Sequence, residues 1–136
     1  MATPTAQTAS QIITDALVSL NVIREGQTPS AEQQAQAIRR MNQMMALWEA
    51  DGRALGYIPI GTVTDVLTVP DGALMGIWTS LAILMAPLYG ATVSAELAEM
   101  NRQGMAVVDK ITAKEVLMEL DVPTPSGREV FNIESG

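Results

Sequence analysis

The chain contains no cysteine and no histidine, and those two absences remove most catalytic chemistry from consideration. Without Cys there is no disulfide framework, no thiolate nucleophile and no thiolate metal site. Without His, the usual general base and the commonest zinc ligand are both missing. Aromatic residues are also scarce, at 4% of the sequence, with a single Phe at position 131. No P-loop, GxGxxG, GxSxG or EF-hand pattern occurs anywhere along the chain. Catalysis would have to rest on carboxylates, Lys or Ser. The expectation is a protein that is not an enzyme and carries no cofactor or metal.

Positive charge is thin as well. Eight basic residues stand against fifteen acidic ones, for a net charge of −7. A dedicated nucleic-acid binder needs clustered Lys and Arg to displace counterions from phosphates. Here the basic residues are scattered, and Arg39–Arg40 is the only adjacent pair. The acidic excess reads as plain solubility, or as a surface that DNA passes without sticking. The first twenty residues lack a positive n-region and a continuous apolar h-region, so synthesis and assembly in the cytoplasm are expected.

What the chain does have is apolar mass. At 136 residues and 48% hydrophobic it has the size of one domain and enough side chains for a real core. Met occurs nine times, and its unbranched, polarisable side chain makes such a core adaptable.

Helical periodicity dominates. Residues 1–7 read as a flexible start. Thr8 with Gln11 is a capping box, followed by Ile12, Ile13, Ala16, Leu17 and Leu20 at helical spacing, ending near Asn21. Ser30 with Gln33 is a second capping box. It opens a helix of about 30 Å whose stripe is Ala31, Ala35, Ile38, Met41, Met45 and Trp48. Gln33, Gln36, Arg40 and Gln43 fall on the other side, and Asp51-Gly52 stops the helix. Between Gly56 and Pro70 the residues become β-formers, from Tyr57 and Ile58 to Thr68 and Val69, which predicts a short strand or loose hairpin arm over 57–70. Asp71 is a candidate N-cap for a third helix ending near Leu88-Tyr89, at Pro87 and Gly90.

That third segment carries no charge from Gly72 to Ala95. Its length allows a membrane span, but Gly72, Gly76, Thr79, Ser80, Pro87 and Gly90 dilute it, and no Lys or Arg flanks it closely. A central helix buried all round is the preferred reading. The fourth helix starts at Thr92 to Ser94, with Glu96 and Glu99 near its positive end. Its stripe is Val93, Leu97, Met100, Gly104, Val107 or Val108, and Ile111, running to about Met118. After Asp121, Pro123 and Pro125 forbid helix. The alternation Val130-Phe131-Asn132-Ile133 then reads by default as a disordered end, or alternatively as a peptide that docks on a partner. The expected fold is therefore mainly α: a four-helix bundle over 8–118, a short β-like arm between helices two and three, and an extended C-terminal tail over 119–136.

Two stretches carry a family resemblance. One is Met41-Asn42-Gln43-Met44-Met45-Ala46-Leu47-Trp48-Glu49-Ala50-Asp51-Gly52 followed by Leu55-Gly56-Tyr57. The other is Leu67-Thr68-Val69-Pro70-Asp71-Gly72, then Leu81-Ala82, then Ala86-Pro87-Leu88-Tyr89-Gly90. With the preceding helix, in this order and spacing, they are similar to the head-to-tail adaptor proteins of tailed bacteriophages, in style the packaged-DNA stabilisation or tail accessory proteins of short-tailed phages. The resemblance implies a structural virion protein at the head–tail junction. It implies a twelve-subunit ring of neighbouring copies, docked on the portal protein. Such a ring helps retain packaged DNA without sequence-specific contact and is a platform for the next tail or nozzle protein. The family role is mechanical, so no catalytic residue carries over. The tail here is short and lacks the long polar extension of some members.

A ring uses two different faces of each subunit. Arg39 or Arg40 against Glu96 or Glu99 is the candidate pairing between copies. The arm residues Ile58, Ile60 and Val63 and the tail residues Val130, Phe131 and Ile133 are the candidate apolar anchors. Two other classes stay open. A small membrane-active phage protein would use the uncharged 72–95 segment. A weak carboxylate enzyme would have to use pairs such as Glu96 and Glu99, which helix-dipole compensation already explains, and a small helical regulator would have to bind DNA.

Overall fold

Both expected capping boxes form. A computed structural model describes residues 7–120, with side chains as far as Lys114. The start at 1–6 and the tail from 121, including Val130, Phe131 and Ile133, lie outside the described residues. Thr8 begins α1 (Ala9–Ser19) and Ser30 begins α2 (Ala31–Ala50), each hydroxyl accepting from the N3 amide while the N3 Gln accepts from the cap amide. Both helices close through left-handed residues. Asn21 takes φ 60° after α1, so that Val22 N–H reaches Leu17 C=O at 3.0 Å. Gly52, at φ 94°, lets Arg53 N–H reach Trp48 C=O at 2.7 Å after α2. These bonds satisfy carbonyls that a helix end otherwise leaves bare.

Asp71 does not cap the third helix. The chain enters through a 3₁₀ turn, Asp71–Ala73, preceded by Pro70, and no side chain caps it. Ala73 N–H instead bonds Pro70 C=O at 2.9 Å. Then follow α3 (Leu74–Met85) and a second 3₁₀ turn, Ala86–Tyr89, stopped by Gly90 at φ 62°. Ser94 accepts the Leu97 amide at the start of α4 (Ala95–Leu120).

The expected β-arm is not a pair of strands. Among the described residues there is no strand, only a single antiparallel bridge between Thr8 and Val66. The reason lies in where the backbone groups of 57–67 find partners. Asn42 on α2 donates to Ile60 C=O at 2.9 Å and accepts from Ile60 N–H at 3.1 Å. The Asp65 carboxylate accepts from the amides of Gly61 and Thr62. With these groups satisfied by side chains, and Pro59 unable to donate, a ladder has little left to use. Leu55, Ile60 and Leu67 are buried, so the segment lies on the helices rather than projecting from them.

The core joins Ile12, Ile13, Ala16 and Leu17 of α1, Met41, Met45 and Trp48 of α2, and Ile77, Leu81, Ala82 and Met85 of α3. The inward stripe of α2 is Ala37, Met41, Met44, Met45 and Trp48; Ala31 and Ala35 face solvent, against expectation. On α4 the inward positions are Leu97, Gly104, Val108 and Thr112, which selects Val108 over Val107 and leaves Met100 exposed. The helix α3 is the hub, packing on α1, α2 and α4, whereas α4 makes its extensive helix contacts with α3 and the 3₁₀ turn before it.

Candidate interface surfaces

A glycine pair sets the geometry of α3 against α4. Gly76 and Gly104 face each other so closely that a Cβ on Gly104 would lie 2.6 Å from the Gly76 nitrogen. Gly72 faces Val107 and Ile111 one turn away, and Asn101 meets Thr79 and Ser80 on the other side. The two helices are therefore antiparallel. Asn101 donates one amide hydrogen to Thr79 Oγ1 at 3.1 Å and the other to Ser80 Oγ at 2.8 Å. Thr79 in turn donates to Met75 C=O at 2.6 Å, so this polar group inside the contact is bonded rather than stranded. On the opposite flank Tyr89 OH donates to Gln36 on α2 at 3.2 Å, while Met44 and Trp48 lie beside Ser80–Leu84. Hence α2 and α4 run the same way on either side of α3.

Between them lies a groove. It holds about 250 Å³ and is lined by Met44 and Trp48 of α2, Ser80, Ile83 and Leu84 of α3, and Asn101 of α4. None of these side chains is charged. Leu84 is 42% exposed, and Leu88 beyond it 44%. Leu47, at 68%, stands one turn from Met44 on α2. The expected all-round burial of the uncharged helix is therefore corrected: three helices cover it only in part. The groove is smaller than the roughly 300–1,000 Å³ typical of small-molecule pockets.

A second cavity, of about 350 Å³, lies between α1, the turn after it and α3, lined by Asp15, Glu25 and Trp78 among others. Burial raises the Asp15 pKa above its ordinary value. No group of three metal-ligating side chains gathers among the described residues.

The residues singled out from sequence fall as follows. Arg39 is exposed on α2, and Arg40 is half-buried with its Nε buried and unbonded. Glu96 is exposed. Glu99 is already engaged on its own helix, by Arg102 at 2.6 Å and Gln103 at 3.0 Å, and these bonds pull its pKa down to about 2. Neither arginine of α2 reaches either glutamate within one chain, so that pairing could only be made between copies. Ile58 is 64% exposed and Val63 half-buried, but Ile60 is buried under the Asn42 clamp and offers a partner little surface.

Several features escaped the sequence reading. Asn42 and Asn101 are polar residues on apolar flanks, and that misplacement was their only local signal. Asn42 Oδ1 also accepts from Tyr57 OH, and burial pushes that phenol up to about 12. Arg53 reaches Asp109 on α4 at 2.7 Å, tying the end of α2 to α4. Compared with known proteins, the chain matches no family model and no curated sequence.

Proposed function

We propose that this chain is a structural subunit, a head-to-tail adaptor that docks as a ring on a phage portal, helps hold packaged DNA and receives the next tail or nozzle component. The observation that carries the reading is the exposed apolar surface at Leu84 of α3 and Leu88 of the 3₁₀ turn after it, beside an uncharged groove. Contiguous apolar surface of this kind marks association sites in soluble proteins. The order of the Met41–Tyr57 and Leu67–Gly90 motifs supplies which assembly. The absence of Cys and His supports a mechanical rather than a catalytic role. In this reading the protein is made in the host cytoplasm, resides in the virion at the head–tail junction, and needs no membrane and no sequence-specific hold on DNA. The helical path from Asp71 to Tyr89 is long and apolar enough to cross a bilayer, with mean hydropathy 1.5. We prefer the adaptor because α1, α2 and α4 all pack on that path.

The test is to mix the purified protein with its cognate portal and measure mass by light scattering and shape by electron microscopy. A ring of copies bound at one end of the portal is the expected result, weakened when residues 126–136 are removed. A protein that leaves the portal untouched ends the proposal.

A further inference from the structure

We propose that the groove between α2 and α4 is the receptor for the tail of a neighbouring copy, with Phe131 and Ile133 as the inserted side chains. The inference deepens the adaptor reading and rests on it for the ring, but its chemistry concerns only copies of this chain.

Three observations carry it. The groove walls are apolar and uncharged: Met44, Trp48, Ile83 and Leu84. Asn101, at its edge, uses both amide hydrogens on Thr79 and Ser80, which leaves its carbonyl oxygen to accept a peptide N–H. An extended peptide presents residues two apart on one face, so a strand bound in the groove would offer Phe131 and Ile133 together. Phe131 is the one Phe in the chain, an aromatic of the kind that anchors interfaces.

Reach selects a neighbour over the same chain. The helix α4 runs antiparallel to α3 and passes the groove at Asn101, then continues nineteen residues to Leu120. At 1.5 Å per residue it carries the start of the tail roughly 28 Å away. Residues 121–130 span at most about 33–36 Å when fully extended, and Pro123 and Pro125 favour a stiffer path near 3.1 Å per residue. Returning to its own groove would require an immediate reversal and almost the whole contour length. Continuing outward costs no reversal. One copy giving a tail and offering a groove at a different place is a heterologous contact, the kind that propagates into rings.

The experiment uses the full chain in a Trp78→Phe background, so that Trp48 in the groove wall is the fluorophore. Light scattering over a concentration series should show self-association, with a change in the intensity of Trp48 emission as a peptide packs against the groove wall. Phe131→Ala and Leu84→Asp should each weaken association by roughly thirtyfold or more, the loss expected of a truncated interface anchor. Leu84 is substantially exposed, and an unchanged circular dichroism spectrum shows that its variant folds. Mixing the two variants is decisive. The Leu84→Asp copy still has a tail and the Phe131→Ala copy still has a groove, so the mixture should form one-to-one dimers that neither forms alone. The inference is overturned if the full chain stays monomeric at sub-millimolar concentration, or if the mixture fails to complement. It is also overturned if Phe131→Ala leaves self-association intact and weakens only portal binding, a result under which the adaptor reading survives.

Discussion

Gly76 and Gly104 bring the backbones of α3 and α4 into direct contact: a Cβ on either would sit within 2.9 Å of the other helix's main chain. This contact fixes how far apart the two helices stand, and so how wide the neighbouring groove opens.

Gly104→Ala should therefore destabilise the protein, although alanine is the better helix former. The propensity gain is roughly 0.5–1 kcal/mol, while forcing a well-packed contact apart costs typically about 1–3 kcal/mol. The clash is with backbone, which cannot rotate away. Urea unfolding checks the sign. A rise in stability would mean that the helices separate freely and that the pair is incidental.

Asn42→Ala should strip the 57–61 segment of its clamp. Both the amide and the carbonyl of Ile60 lose their partner, and a buried polar group left unmatched costs about 1–3 kcal/mol. Hydrogen exchange at the Ile60 amide should accelerate far more than exchange within α3. Equal acceleration at both places would indicate global destabilisation instead.

Glu99 provides a pH signature. Its carboxyl is held at about 2, below its ordinary 4.5, by hydrogen bonds from Arg102 first and Gln103 second. A depressed folded pKa gives stability that is present above the unfolded value and lost as the pH falls from 4.5 towards 2. The group is fully exposed, so the effect is local to the first turns of α4. An NMR titration of the Glu99 carboxyl should show a midpoint near 2 that moves up in Arg102→Gln. A midpoint that ignores Arg102 would mean that the pair does not form in solution.

Arg53→Gln cuts the tie to Asp109, and its effect should be small. Both side chains are substantially exposed, at 32% and 55%, and such pairs contribute under about 1 kcal/mol. Thermal unfolding should rank this variant well below Gly104→Ala in damage. The reverse order would mean that the ion pair from the end of α2 holds α4 more firmly than the glycine contact between α3 and α4 does.

Which of these features were legible beforehand follows from how local each signal is. Thr8 with Gln11 and Ser30 with Gln33 sit three residues apart, so their boxes could be read directly, as could the stops at Gly52 and Gly90. The phase of α2 was harder. An alanine suits either side of a helix, and Ala31 and Ala35 gave no warning that they face water while Ala37 is buried. The β-formers of 57–69 point to a strand or hairpin arm that does not form. What diverted them from a hairpin was Asn42, a partner at least fifteen positions away that no window over the segment contains. The groove was invisible for the same reason, because it exists only once three helices are in place. In the sequence Gly76 merely dilutes an apolar run, whereas in the fold its small size is what admits α4.

The contact between the loop and the beginning of α1 also bears on the order in which the chain folds. Ala9 and Ser10 donate their amides to the carbonyls of Asp65 and Val63, both at 2.8 Å. A helix of eleven residues is marginal alone in water. As the chain leaves the ribosome, α1 appears first, but its leading amides find these acceptors only after more than fifty further residues have been made. The start of this helix thus waits on the 63–65 segment, and its completion reports that the middle of the chain has arrived.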